Sequence, residues 1–218
     1  MPPTNPARRR ALADAAIDLL AACGVHGLTH RAVEKAAGLP PGTASNYFRS
    51  REALLVAAAE RIVELHHADM DRAAGRHQAA ITTDFTAQVV DLLTESLLGA
   101  ATVLRNRYLA IFELQMEAVR RPVLSSALAG LQDVSTRFTA GHHAELGLPI
   151  PRKAIPGLIA LYGGALFTLV TAPPETVTED AVRHIVRTIV YGALPESNGV
   201  PDALRASDDA PLAEPDGR

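Results

Sequence analysis

Residues 28–48 read LTHRAVEKAAGLPPGTASNYF, and the rest of the chain is best read outward from them. Thr29 has the chemistry to cap a short helix over 30–37, and Gly38 suits its close. Pro40 and Pro41 forbid continuation, but Pro41 fits the first turn of a fresh helix over about 41–47. Val33, Ala37, Leu39, Ala44 and Phe48 can then close one small core. The small residues Ala36, Ala37 and Gly38 let two helices cross through a tight turn. The spacing predicts a helix-turn-helix with Thr43, Ser45, Asn46 and Tyr47 turned outward. In such a unit the second helix enters the major groove, where asparagine reads adenine edges and hydroxyls bond bases or phosphates. Thr29, His30 and Arg31 stand at a helix N-terminus, where anions are favoured, and Arg49 and Arg51 add charge beside it. A plain helical hairpin would use the same spacing for packing alone.

The periodicity around this unit is helical, with no sustained alternation of period two. Leu12, Ala15, Ala16, Leu19, Leu20 and Cys23 form one face of a first helix that stops at Gly24. Ser50 can cap a long fourth helix through Leu54, Ala58, Ile62 and Leu65 towards Ala74. A connector at 75–82 follows, then helices at about 83–99, 102–120, 122–145, 152–171 and 178–193. Gly99, Pro122, residues 147–151 and Pro173–Pro174 supply the breaks. Residues 195–218 have no periodic apolar face and read as a disordered acidic tail. The fold class is all-α.

Composition narrows the function. The 218 residues are 48% hydrophobic with a net charge of −3, enough for a substantial core. A single cysteine, Cys23, excludes a disulfide framework and a Cys-rich zinc module. Charge is segregated: residues 1–51 carry seven basic groups against three acids, and residues 195–218 carry two against six. That places any polyanion contact in the first quarter. The opening residues lack the pattern of a secretory leader, which points to the cytoplasm. From Ala154 to Pro174 no charge appears, but prolines shorten the apolar helix to 158–172. Such a helix reaches about 22 Å, short of a hydrocarbon core of about 30 Å, so an interface is expected rather than a membrane span. Gly163, Gly164 and Ala165 allow close approach, and Ala181, Val182, Ile185, Val186, Ile189 and Val190 form a second apolar face. Two such helices from each of two chains would build a four-helix homodimer; a monomer core is the alternative use of the same faces.

The stretch from Gly27 to Leu55 resembles the N-terminal domain of the TetR (tetracycline repressor) family of bacterial transcriptional regulators. The matching residues are Thr29, Ala36–Ala37–Gly38–Leu39, Gly42–Thr43, Tyr47–Phe48 and Ser50–Arg51–Glu52–Ala53–Leu54. The resemblance implies a helix-turn-helix domain over 1–50 and a ligand-binding and dimerisation domain over 51–194. It implies a ligand-responsive regulator, more often a repressor, that binds a palindromic operator in double-stranded DNA as a homodimer. It also implies phosphate contacts from Thr43, Tyr47 and Arg51, base contacts from Ala44 and Asn46, and a core position for Phe48. Ser45 stands where many members carry tyrosine.

For the effector pocket, the residues themselves offer Arg105, Tyr108, Phe112, Gln115 and Met116 on one helix, with Phe138, His142, Tyr162 and Phe167 on its neighbours. Aromatics and methionine with few polar groups suit an apolar small molecule. The adjacent pairs His66–His67 and His142–His143 diverge by about 100° on a helix, so no metal is expected. No nucleophile elbow, phosphate loop or dinucleotide fingerprint is present, and neither a cofactor nor an enzymatic activity is expected. The rival reading is a helical small-molecule-binding or enzymatic module with a purely structural N-terminal hairpin.

Overall fold

The computed structural model describes residues 5–76, 85–131 and 152–193, and among these every regular element is helical. The α-helices are α1 (Pro6–Gly27), α2 (His30–Ala36), α3 (Thr43–Tyr47), α4 (Arg51–Arg76), α5 (Phe85–Ala101), α6 (Arg105–Ala118), α7 (Pro122–Leu131), α8 (Ile155–Thr171) and α9 (Glu179–Ala193). Local chemistry starts and stops them. Asn5 caps α1 by accepting the Ala7 and Arg8 N–H groups, both at 3.1 Å, with Pro6 in the first turn. Ser50 accepts the Ala53 N–H at the head of α4, and Thr178 accepts that of Ala181 at the head of α9. Among the described residues no helix is long and apolar enough to cross a membrane. The tail at 195–218 lies outside the described residues, as do most of the 75–82 connector and the far half of the 122–145 helix.

Two hydrophobic cores organise the described residues. The first gathers Leu12, Ala16 and Leu20 of α1, Val33, Ala44 and Phe48 of the hairpin, and Leu54, Ala58 and Ile62 of α4. It continues into Ile111 and Leu114 of α6 and Leu124 and Leu128 of α7. The second joins Val89, Leu93 and Leu97 of α5 to Leu158, Leu166 and Val170 of α8 and Val182, Val186 and Val190 of α9. The apolar face of α9 is thus spent inside its own chain, while Ala181 faces solvent. Cys23, placed on the apolar face of α1 by periodicity, is exposed. The backbone breaks at Gly24, whose φ of +66° ends the regular turn just before it.

Ion pairs stitch α4 to its neighbours. Arg61 donates to Asp14 of α1 at 2.7 Å, and the half-buried Asp69 holds both Arg107 of α6 and Arg72. His66 is buried beside this group, and desolvation lowers its pKa, with Arg107 and His67 adding to the effect and Asp69 opposing it. A histidine held neutral by burial stabilises the fold fully above its ordinary value of 6.5, and that stability is lost as the pH falls from there to the lowered folded value. The urea midpoint is therefore expected to fall on acidification below about pH 6.5, and to fall less steeply in His66→Gln.

Candidate nucleic-acid interface

The hairpin is built almost entirely from local backbone chemistry. Thr29 Oγ1 accepts the Ala32 N–H at 3.1 Å and starts α2. At its end the Gly38 N–H donates to Lys35 O and the Leu39 N–H to Glu34 O, a Schellman closure that needs the left-handed φ of +64° at Gly38. A second left-handed glycine, Gly42 at φ +84°, is the N-cap of α3. A glycine cap has no side chain to accept the first amides. Glu34 supplies the missing acceptor from α2: its buried carboxylate takes the Ala44 N–H at 2.8 Å. Sequence reading passed over Glu34. The signal that could have found it is a five-residue helix opening on glycine, whose orphan amides require an acceptor from elsewhere.

The predicted contact residues divide on inspection. Ser45 and Asn46 are exposed on α3, as are Arg31 and Lys35 on α2 and Arg49 just after α3. Ser45 Oγ donates to Gly42 O at 3.0 Å and Thr43 Oγ1 to Pro40 O at 2.6 Å, so both hydroxyls brace the turn while their oxygens can still accept. The Tyr47 hydroxyl lies 3.4 Å from Asn5 O, a long contact to the start of α1. Ala44 is a correction. At 0% exposure it sits in the first core against Val33 and Phe48 and cannot face bases. His30 and Arg51 also carry packing duties. His30 Nε2 donates to Phe48 O at 2.8 Å, tying the start of α2 to the end of α3. Arg51 donates from Nε to Leu28 O at 3.1 Å and from Nη2 to Val25 O, closing the carbonyl end of α1. Arg9 lies 5.5 Å from the centre of the Phe48 ring and pairs with Glu60.

In the body, Arg105, Tyr108 and Phe112 follow one another along α6 towards α8. Arg105 Nη2 donates to Ala172 O at 3.1 Å, and among the described residues its buried Nε has no hydrogen-bond partner. Tyr162 and Ser96 share a 2.7 Å hydroxyl contact between α8 and α5. Burial pushes the Tyr108 and Tyr162 phenols up. Phe112 meets Phe167 edge-on with centroids 5.0 Å apart. Gln115 and Met116 are corrections: both face solvent among the described residues, Met116 with 65% exposure, because they lie away from the α6 face that meets α5 and α8. Phe138 and His142 lie outside the described residues. A separate open groove of about 360 Å³ runs between α1 and the α5–α6 turn, lined by residues including Asp14, Asp18, Val103, Asn106 and Arg107. Among the described residues no group of three His, Cys, Asp or Glu side chains could hold a metal ion.

Two family models match the chain. Bacterial regulatory proteins of the tetR family match residues 12–58, and the tetracyclin repressor-like C-terminal domain matches residues 84–192. No curated protein matches in sequence. Among solved structures, the multidrug binding protein EbrR complexed with proflavin is 25% identical, over 84% of this chain and 99% of that one, at a TM-score of 0.55. A TetR-family member from Streptomyces coelicolor A3 is 24% identical, over 84% and 98%, at 0.63. A transcriptional regulator from Rhodococcus sp. Rha1 is 17% identical, over 88% and 99%, at 0.69.

Proposed function

Because the chain belongs to the tetR family of bacterial regulatory proteins, we propose that it is a ligand-responsive transcriptional repressor gripping a palindromic DNA operator as a homodimer. The observation that carries this reading is α3 itself. It is a helix too short to stand alone, fixed by Glu34 and two left-handed glycines, with Ser45 and Asn46 exposed on it, Arg31 and Lys35 exposed on α2 and Arg49 exposed just after it. Residues 1–50 act as the reading head. Asn46 reads base edges, Ser45 and Thr43 meet bases or phosphates, and Thr29, Arg31 and Tyr47 hold the backbone. Arg51 and His30 act on DNA chiefly by holding the hairpin in shape. Two heads on a two-fold axis would meet half-sites about one helical turn apart.

The seam of Arg105, Tyr108, Phe112 and Tyr162 is the proposed effector site, with the exposed Phe167 only at its edge, and it favours a largely apolar molecule with a flat ring. The likeness to a protein solved with proflavin supports that choice. An effector releases DNA only by binding more tightly to a head spacing that no longer fits successive grooves, and α4, which runs from head to body, carries that change.

The test is to sequence the genomic fragments that the purified protein retains at about 150 mM salt. A short inverted repeat is expected. Asn46→Ala is expected to cost about 1–3 kcal/mol at its preferred base and relax preference there, while Tyr47→Phe weakens all fragments alike. Retention that ignores sequence in the wild type, or is unchanged in both variants, would sink the reading.

A further inference from the structure

We propose that Glu113 is a positioning residue that clamps the body of the protein to the corner leading into the DNA-reading hairpin, a route that runs beside α4 rather than through it. The break at Gly24 turns the Val25 N–H out of the α1 ladder. That amide belongs to a residue buried to 4% exposure, so it needs an acceptor. Glu113 of α6 provides it: Oε2 accepts the Val25 N–H at 3.2 Å. The next peptide along is held as well, since the Val25 carbonyl accepts from Leu28 N–H and from Arg51 at the start of α4. Three residues later Leu28 closes the core, and Thr29 caps α2. Beside the packing of Ile111 and Leu114 in the first core, a shift of α6 is therefore passed to the N-terminus of α2 through the backbone of Val25.

Two further observations fit a built contact. The left-handed glycine leaves space that the carboxylate uses, because a Cβ on Gly24 would stand 3.2 Å from Glu113 Oε2. One turn along α6, Glu117 pairs with Arg121, which reaches Glu52 in the first turn of α4 at 4.0 Å. Glu113 thus meets the corner itself, and Glu117 one turn on is tied through Arg121 to the start of α4.

The inference rests on the DNA-binding reading, and its test separates the two. Hydrogen exchange across residues 24–30 and affinity for a fragment retained by the wild type are measured on full-length Glu113→Ala and Glu113→Gln. The alanine variant is expected to exchange at Val25 at least about tenfold faster and to bind the fragment about tenfold more weakly. The glutamine variant keeps an acceptor oxygen and is expected to stay within about twofold of wild type on both measures. Unchanged exchange at Val25 in Glu113→Ala overturns the clamp. Faster exchange with unchanged affinity overturns its role in positioning the head. Wild-type protein that retains no specific fragment overturns the DNA reading and that role together, while exchange still decides the contact.

Discussion

Replacing Gly164 with arginine is expected to leave a folded monomer that no longer holds an inverted repeat. The outward face of α8 runs through Gly157, Leu161, Gly164, Phe167 and Thr168, and carries no charge. Leu161 and Phe167 are 49% and 51% exposed, and burying the half of each that is still exposed contributes about 1 kcal/mol per side chain. An uncharged strip with glycine at its centre suits a second copy of itself, since two helices crossing there approach closely. Among the described residues nothing lies within 4 Å of a Cβ added at Gly164, so the side chain of an arginine there starts into open space. Arginine is also the better helix former, and the monomer should keep its helical circular dichroism. Across a two-fold contact, however, two guanidinium groups would face each other without partners. Light scattering is expected to give half the mass of the wild type. Losing the tether between heads should cost the operator about 100-fold or more in affinity, with binding to single half-sites retained. A variant that stays dimeric at micromolar concentration would place the interface elsewhere.

The same helices show what could be read from the chain and what could not. Caps, stops and the hairpin were legible because they depend on neighbours in sequence: Thr29 at Ala32, Ser50 at Ala53, and Gly38 closing α2 on Lys35. Periodicity also located the apolar faces of α1 and α9. It could not say what each face meets, which is why the α9 face pointed to a dimer and instead packs on α5 and α8. Ala44 shows the limit more sharply. On a helix of five residues one turn separates the outside from the core, and only the crossing of α2 and α3 decides which side a given residue takes. Gln115 and Met116 failed in the same way on α6. Glu34, Glu113 and Arg51 were missed in their actual roles because each serves a backbone group 10 to 88 residues away.

That last kind of contact yields the largest expected loss of stability. Glu34 is a carboxylate with 5% exposure, and its bond to Ala44 N–H is charge-assisted. Removing it in Glu34→Ala leaves a buried amide unpaired at the N-terminus of a helix with no side-chain cap of its own. Hydrogen bonds to charged groups contribute about 1.5–3 kcal/mol, and the truncation also opens space beside Val33 and Ala44. A loss of about 2–4 kcal/mol in unfolding free energy is therefore expected, read from urea midpoints at neutral pH. Glu34→Gln keeps the acceptor without the charge and should lose about half as much. Because α3 has only five residues, weakening its first turn frees the segment that presents Ser45 and Asn46. Fragment binding should then fall even at temperatures where both variants remain folded. If Glu34→Ala unfolds within about 0.5 kcal/mol of wild type, the carboxylate is not what holds the reading helix, and the two left-handed glycines must do so alone.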